Sequence, residues 1–166
     1  MNVCTTDDEY CEYLISVFAE IFPDLTIEGG AEEPFYAAAK GNAGATIYFR
    51  SNYPRSLLHE ISHYCLAGDR RRKLDDFGYW YSPCGRTLEE QQRFELAEAR
   101  PQGLEKVMCE LLGIKFSPSL DDFSGRSPSS VFLKSVEKAY QEMLQNPPFT
   151  AKKALSGILE FIKKQS

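Results

Sequence analysis

The sequence predicts an α+β fold in which several helices pack on a small β-sheet. Apolar residues recur at helical spacing in five stretches, and short β-branched or aromatic stretches separate the first two of them. A length of 166 residues suits one domain with a single core. We therefore expect a single domain over residues 1–166.

Three strands are predicted in the first third of the chain. Residues 25–28 form a short β-branched stretch, which the glycine pair at 29–30 should close. A second short strand is expected near residues 35–36. The clearest strand is at residues 45–49 (ATIYF), where β-branched and aromatic residues alternate with a period of two. Together they would form the small sheet.

Helices are predicted on both sides of the strands. Residues 7–21 have an apolar face and end before Pro23. A second helix is expected at residues 54–67, because Pro54 suits a first turn and Gly68 suits the position after the end. Its apolar face would be buried. The residues of that face are Leu57, Leu58, Ile61, Cys65 and Leu66.

Residues 87–113 also have a helical pattern, but Pro101 falls in the middle of it. Proline removes one backbone donor and clashes with the preceding turn. The sequence therefore allows either one kinked helix or two segments that meet, at about 88–99 and 101–112. Two more amphipathic helices are predicted to close the chain, at residues 129–145 and 150–164.

Composition narrows the classes of function. The chain has 24 acidic and 19 basic residues and a net charge of −5, which argues against general nucleic-acid binding. It contains no apolar run long enough for a transmembrane helix and no signal-peptide pattern. Its five cysteines are widely spaced and include no Cys-x-x-Cys pair, as in a reduced protein. We expect a cytoplasmic protein that binds neither nucleic acid nor membrane.

The two histidines of the chain stand four residues apart, in a His-Glu-x-x-His motif at residues 59–63. On a helix, positions i and i+4 lie on one face, one turn apart. His59 and His63 could then present two imidazoles to one divalent metal ion, and a carboxylate from elsewhere would complete three ligands. The alternative is an exposed helix face with two unconnected histidines.

A third ligand is expected from the helix that follows the motif. Glu95 and Glu98 are three residues apart and can share one helix face, so one could bind the metal while the other orients a ligating histidine. Any single glutamate here could instead belong to a solvated surface. The candidates are Glu89, Glu90, Glu95, Glu98 and Glu105.

The motif fits three kinds of protein. In a zinc hydrolase, Glu60 would be the general base that takes a proton from metal-bound water. In a two-histidine, one-carboxylate Fe(II) site, open positions would remain for O₂ and substrate. In a binding module, a structural metal would have a closed set of four ligands. Spacing alone does not decide between these, because imidazole and carboxylate bind both metals.

A basic run and an aromatic run follow the motif helix. Arg70, Arg71 and Arg72 are either part of a solvated loop or a docking site for an acidic protein partner.

The aromatic run follows two carboxylates, Asp75 and Asp76. Tyr79, Trp80 and Tyr81 could wall a pocket for a cationic aliphatic side chain, in which the aspartates would provide negative charge. The alternative is an aromatic core strand. Both can hold at once, since alternate residues of a strand face opposite sides.

Three segments together resemble the elongation factor P hydroxylase family. They are residues 59–68 (HEISHYCLAG), 76–81 (DFGYWY) and 94–102 (FELAEARPQ). The likeness is dense over residues 55–113 and poor in the C-terminal third. One departure is Cys84, which stands where the family commonly has an aspartate, so that position carries no carboxylate here.

The resemblance implies a bacterial, non-haem Fe(II) enzyme of monooxygenase type that uses O₂. Its implied substrate is a lysine of elongation factor P that has already received a β-lysyl extension. His59, His63 and Glu98 are the implied metal ligands, and Zn²⁺ would also occupy such a site by affinity. We assign Glu60 and Glu95 to orienting the ligands. The resemblance also implies a fold other than the double-stranded β-helix, consistent with the small number of predicted strands.

Overall fold

The computed structural model describes residues 6–82, 84–120 and 125–165, and it confirms the α+β class. Its elements in chain order are α1 (Asp7–Ile21), β1 (Leu25–Ala31), β2 (Phe35–Ala37), β3 (Ala45–Arg50), α2 (Pro54–Leu66), α3 (Leu88–Leu112), α4 (Ser130–Gln145) and α5 (Phe149–Gln165). Two short 3₁₀ turns lie between α2 and α3, at Arg71–Lys73 and Asp75–Gly78.

The sheet has three strands in the order β1-β3-β2, with β3 parallel to β1 and antiparallel to β2. Strand β1 is longer than predicted, because the glycine pair continues the strand and does not close it. The register with β3 shifts between Glu28 and Ala31. At Gly29, an added Cβ would lie 2.7 Å from Cζ of Phe49 and 2.4 Å from Oδ1 of Asn52. Only glycine fits so close to these side chains, so this residue allows the irregularity.

One face of the sheet is buried. The side chains of Leu25, Ile27, Ile47 and Phe49 alternate along the parallel strands and lie in the core, together with Tyr36 from β2. They pack against α1 and α2. The sheet thus serves as the platform on which the motif helix lies, and β3 leads into that helix within a few residues.

Helix ends follow the sequence signals. Thr6 and Glu9 form a capping box at the start of α1, and Thr87 and Glu90 form another at the start of α3. Helix α2 has no side-chain cap and begins instead with Pro54, whose missing N–H would have no partner in a first turn. Its predicted apolar face is buried apart from Leu66, which is half-buried.

Helix α3 runs without interruption through Pro101, so of the two alternatives that the sequence left open, that of two separate segments was wrong. The proline removes one intrahelical donor, the partner of the Ala97 carbonyl. Packing on both sides compensates, since Ala99 and Leu104 are both buried. The helix ends at Gly113, which has a left-handed backbone (φ 70°) that favours glycine.

The described part of the chain has a large and a small apolar cluster, and α3 contributes to both. Its first half supplies Phe94 and Ala99 to the small cluster, where they meet Phe132 and Val136 of α4. Its second half supplies residues such as Met108 to the large cluster, which also contains the sheet face, α1, α2 and α5. Pro101 lies between the two halves.

The described cysteines are unpaired, as the sequence predicted for a reduced protein. Cys11, Cys65 and Cys109 are buried in the large cluster, and burial raises the pKa of the Cys65 thiol to about 12. Cys84 is exposed, and all four are free thiols. Cys4 lies outside the described residues.

No described helix is both long enough and apolar enough to cross a membrane.

Helices α3 and α4 approach each other closely at Gly103, where alanine should destabilise the fold. A Cβ there would lie 2.6 Å from Cβ of Ala139 and 2.7 Å from the backbone nitrogen of Tyr140. Because these atoms are fixed by α4, the helices must separate, at a cost of about 1–3 kcal/mol. The middle of that range exceeds the gain in helix propensity, which is about 1 kcal/mol. We expect a net loss of about 1 kcal/mol in the free energy of unfolding, measured with urea.

The matched control is Gly68→Ala, where an added Cβ meets nothing within 4 Å. Its free energy of unfolding should stay within about 0.5 kcal/mol of the native value. Equal stabilities for the two variants would contradict the close approach of α3 and α4.

Candidate metal centre

Helix α2 presents both histidine rings toward the same cavity. Their ring centroids are 4.8 Å apart, and the two Nε2 atoms face each other at 3.2 Å. The i, i+4 spacing produces this arrangement, because the opposite side of α2 is anchored by Leu58, Ile61 and Cys65 in the core. Two ring nitrogens with lone pairs can lie this close only with a proton or a metal ion between or beside them.

Glu98 of α3 brings the third donor. Its Oε1 lies 2.9 Å from Nε2 of His63, and its Oε2 lies 3.3 Å from Nε2 of His59. One ligand atom from each of the three residues lies within 4.8 Å of the other two. Ligands bound to one ion at about 2.0–2.1 Å stand about 2.8–3.4 Å apart for angles between octahedral and tetrahedral. The observed spacing fits that requirement.

Electrostatics also favour a cation at this point. Burial by itself would lower the pKa of His59, but the carboxylates of Glu98 and Glu105 raise it well above its usual range. Burial by itself would raise the pKa of Glu98, but the two histidines beside it hold that pKa well below its usual range. Buried negative charge therefore surrounds the imidazoles, and positive charge among them is stabilised.

Side chains of α2 and α3 hold the candidate metal ligands in place through hydrogen bonds. The side-chain nitrogen of Gln102 donates to Oε2 of Glu98 at 3.1 Å and to the backbone carbonyl of Ser119 at 2.6 Å. Nδ1 of His59 lies 2.9 Å from Oε2 of Glu105. Arg55 donates to the other carboxylate oxygen of Glu105. Glu98, Gln102 and Glu105 are all buried, although each is polar.

A cavity of about 550 Å³ opens beside the donors. It is large enough for a small ligand or a long side chain. Aromatic rings and carboxylates share its walls with the candidate ligands. The lining residues outside the ligand set include Glu33, Tyr53, Glu60, Asp76, Phe77, Tyr79, Trp80 and Tyr81.

The structure brings four of the predicted pocket residues to the cavity. Tyr79, Trp80 and Tyr81 line it, but they do so from an irregular segment, so the alternative of an aromatic core strand was wrong. Trp80 is 84% exposed and stands at the mouth. Asp76 lines the cavity while its Oδ1 accepts from the backbone nitrogen of Tyr36 at 2.9 Å.

Asp75 lies away from the cavity walls. Its carboxylate accepts from the backbone nitrogen of Ala38 at 2.9 Å and from Nζ of Lys40 at 2.7 Å. These contacts fasten the 3₁₀ turn to the segment after β2. Each carboxylate oxygen of Asp75 therefore has a structural partner. The sequence suggested instead that Asp75 would line the pocket.

The three arginines of the basic run have different surroundings. Arg72 donates to the backbone carbonyl of Tyr64 and to the hydroxyl of Thr150, so its guanidinium ties α2 to α5. Arg71 donates to the carbonyl of Phe77 and lies over the ring of Tyr79, 4.1 Å from its centroid. Arg70 is exposed. Arg71 is exposed as well, so Arg70 and Arg71 are both accessible at the surface, whereas Arg72 is half-buried.

The two glutamates assigned to orienting the ligands are placed differently from each other. Glu60 lines the cavity but makes no hydrogen bond within the described part of the chain. Glu95 accepts from Ser129 at 3.0 Å and from Gln91 at 3.4 Å, and it does not line the cavity. The carboxylate that meets a motif histidine through Nδ1 is Glu105, one of the five candidates for the third ligand.

Sequence reasoning missed Arg55 and Gln102, which hold the acidic side chains. A signal for Gln102 and Glu105 was present: with Glu98 they follow a spacing of four and three residues, which places them on one helix face. An acidic and amide face on a helix is ordinarily solvated, so this pattern was indistinguishable from a surface until α3 was seen against α2.

Comparisons with known proteins identify the family of the chain. The sequence model of the family described as elongation factor P hydroxylase matches residues 16–165. An elongation factor P lysine hydroxylase of Haemophilus influenzae is 39% identical over 118 residues, which are 69% of this chain. The matched part spans 66% of the length of that relative, slightly under two thirds. The chain therefore belongs to the elongation factor P hydroxylase family.

Proposed function

We propose that this chain hydroxylates the β-lysylated lysine of elongation factor P, using Fe(II) held by His59, His63 and Glu98 and O₂ as co-substrate. The observation that carries the proposal is the convergence of three donor atoms, all within 4.8 Å of one another, in the wall of an open cavity. Family membership supplies the class of substrate. We place the enzyme in the bacterial cytoplasm.

The ligand set supports an oxygen-activating centre. Two imidazoles and one carboxylate are the protein ligands of many non-haem Fe(II) oxygenases and leave coordination positions open. When bound, Fe(II) supplies the activation of O₂ that C–H hydroxylation needs. One oxygen atom enters the lysine side chain, and the other leaves as water after an external reductant supplies two electrons. No fourth ligand joins the group within residues 6–82, 84–120 and 125–165, which speaks against a closed structural site.

The walls of the cavity suit a long cationic side chain. The rings of Tyr79, Trp80 and Tyr81 provide faces along which methylene groups and an ammonium group can lie. Asp76 and Glu60 provide negative charge on the same walls. A lysine lengthened by β-lysine carries positive charge at its end, and the aromatic mouth at Trp80 gives it a way in from solvent.

Docking of the partner protein would then involve the surface around this mouth. Arg70 and Arg71 are the exposed arginines of the basic run, and Arg71 also donates to the backbone carbonyl of Phe77. A charge on the rim of an interface acts mainly on the rate of association. We assign Arg70 to that role.

The test is intact-mass analysis of β-lysylated elongation factor P after incubation with the chain, Fe(II) and ascorbate. A gain of one oxygen atom in air, and none without O₂, is expected. Unmodified elongation factor P and the His63→Ala variant serve as controls, and neither should give the product. An unchanged mass of the β-lysylated protein in air would overturn the proposal.

Substitution of Glu60 by glutamine separates hydroxylation from the zinc metallopeptidase alternative, which the comparisons do not support. A peptidase would lose its general base and about 10²–10⁴-fold in turnover. The hydroxylase needs no base at this position, so kcat should change little, while KM should rise because a carboxylate leaves the cavity wall. Steady-state measurement of oxygen incorporation distinguishes the two. A fall in kcat as large as that of a peptidase would contradict our assignment of Glu60.

A further inference from the structure

Glu105 connects the candidate metal centre to Arg55, which makes no hydrogen bond to the three candidate ligands in the described part of the chain. Its Oε2 lies 2.9 Å from Nδ1 of His59, and its Oε1 accepts from Nη2 and Nε of Arg55 at 2.8 and 3.1 Å. The carboxylate is 2% exposed, so water does not compete for either oxygen. Arg55 is held in turn by Ser117, to whose backbone carbonyl it donates at 2.7 Å.

We propose that Glu105 is a positioning residue that fixes the tautomer of His59, and that Arg55 fixes Glu105. The inference rests on the metal centre of the proposed function. A carboxylate can only accept, so the Nδ1 atom that faces it must carry the proton. In the neutral ring that binds a metal, the lone pair is then on Nε2, the atom that faces Glu98 and His63. This tautomer, with the proton on Nδ1, is the one that can bind a metal through Nε2.

Arg55 makes the requirement for a carboxylate strict. A guanidinium has only donors, so the atom of residue 105 that faces it must be an acceptor. The atom that faces a protonated Nδ1 of His59 must also be an acceptor. Glutamate satisfies both neighbours with its two oxygens, whereas glutamine has a single carbonyl oxygen and would turn its amide N–H toward one of them. In the metal-bound state of a Glu105→Gln variant, the amide N–H of the glutamine therefore faces another N–H, either that of Arg55 or that of Nδ1 of His59.

The decisive experiment compares Co²⁺ dissociation constants of purified variants, measured by titration of the visible absorption of the bound ion. Glu105→Gln should bind Co²⁺ about 10–100-fold more weakly than the native chain. The double variant Arg55→Met with Glu105→Gln should bind about tenfold more tightly than Glu105→Gln alone, because the glutamine oxygen is then free to turn to Nδ1. A residue that only filled space would show no such recovery.

The control is Glu110→Gln. Glu110 lies on the same helix and accepts from the hydroxyl of Tyr140 at 2.6 Å, but it is exposed and outside the cavity. Its Co²⁺ affinity should equal the native value. A native-like affinity of Glu105→Gln, or a double variant no tighter than it, would overturn the positioning role. A native chain that does not bind Co²⁺ at all would instead overturn the metal centre itself, so the two failures are distinguishable.

A measurement on the native chain covers the case in which a variant does not fold. In the Zn²⁺-loaded protein, ¹⁵N-resolved NMR of His59 should show a slowly exchanging proton on Nδ1 and a metal-shifted Nε2. A proton found on Nε2, with the metal on Nδ1, would contradict the hydrogen bond to Glu105 and overturn the proposal.

Discussion

Replacement of Glu98 by glutamine is expected to remove metal binding and, with it, hydroxylation. Glu98 supplies the one anionic donor of the group, and it is buried at 5% exposure between two imidazoles. A neutral amide is a poor ligand and leaves the positive charge of the ion uncompensated in a buried site. We expect the affinity for Co²⁺ to fall by more than about 100-fold, beyond the 10–100-fold typical of a residue that only supports a ligand.

The matched control for this variant is Glu89→Gln, which changes an exposed glutamate on the same helix. Glu89 pairs with Arg93 at the surface, and it is not among the residues that line the cavity. Both variants should unfold in urea like the native chain, within about 1 kcal/mol, so that a loss of binding is not a loss of fold. Native-like Co²⁺ affinity in Glu98→Gln would remove the carboxylate from the centre and with it the proposed chemistry.

Removal of the Phe77 ring should give the largest loss of stability near the site. This ring is 4% exposed and stacks on Tyr36, with centroids 4.1 Å apart and planes at 12°. The ring of His63 is also nearly parallel to it, at 15°, with the two centroids 6.2 Å apart. A buried phenylalanine replaced by alanine costs about 3–5 kcal/mol, a large part of the 5–15 kcal/mol that stabilises a typical domain. Urea unfolding of Phe77→Ala measures this loss.

The same substitution should weaken metal binding, because His63 loses a neighbour that limits the rotation of its ring. The control is Phe149→Ala, which removes the same group from a side chain that is 85% exposed. Its stability should stay within about 0.5 kcal/mol of the native value. If both phenylalanine variants lost the same amount, Phe77 would not be part of the packing under the centre.

The sequence was most informative where structure depends on neighbours within one helical turn. The histidine pair needs only the i, i+4 geometry, and the helix bounds follow from local signals such as Pro54 and the capping box at Thr87. The choice among five glutamates was different. It depends on where α2 crosses α3, and no local pattern encodes the crossing of two helices. Resemblance to a family pointed to Glu98, and the structure brings that residue to the histidines.

The supporting carboxylate shows the same limit. Glu95 and Glu105 flank Glu98 on one helix, but α2 crosses on the side toward the C-terminus of α3. Glu105 therefore meets His59, while Glu95 meets Ser129 at the start of α4. Glu95 precedes Glu98 by three residues, which is about 4.5 Å along the helix axis. That distance is enough to place the Glu95 carboxylate against α4 while Glu98 faces α2.

The turn before the aromatic run could not have been foreseen. Asp76 and Phe77 both have left-handed backbone angles, with φ of 47° and 56°, although neither is glycine. Such residues are uncommon, and a bulky one is held there only by its surroundings. Here the backbone of Tyr36 binds the Asp76 carboxylate while its ring stacks on Phe77. Long-range contacts thus override the strand that aromatic composition alone would favour.

Helix α3 joins the two apolar clusters, and Glu98 lies near their junction, three residues before the proline that interrupts its hydrogen-bond ladder. An ion shared by this carboxylate and the histidines would clamp the smaller cluster to the larger one. Loading with Zn²⁺ should then slow amide hydrogen exchange more at residues 88–100 than at 104–112, which are already buried in the large cluster. The rigidity of the smaller cluster would in this way report whether the cation is bound.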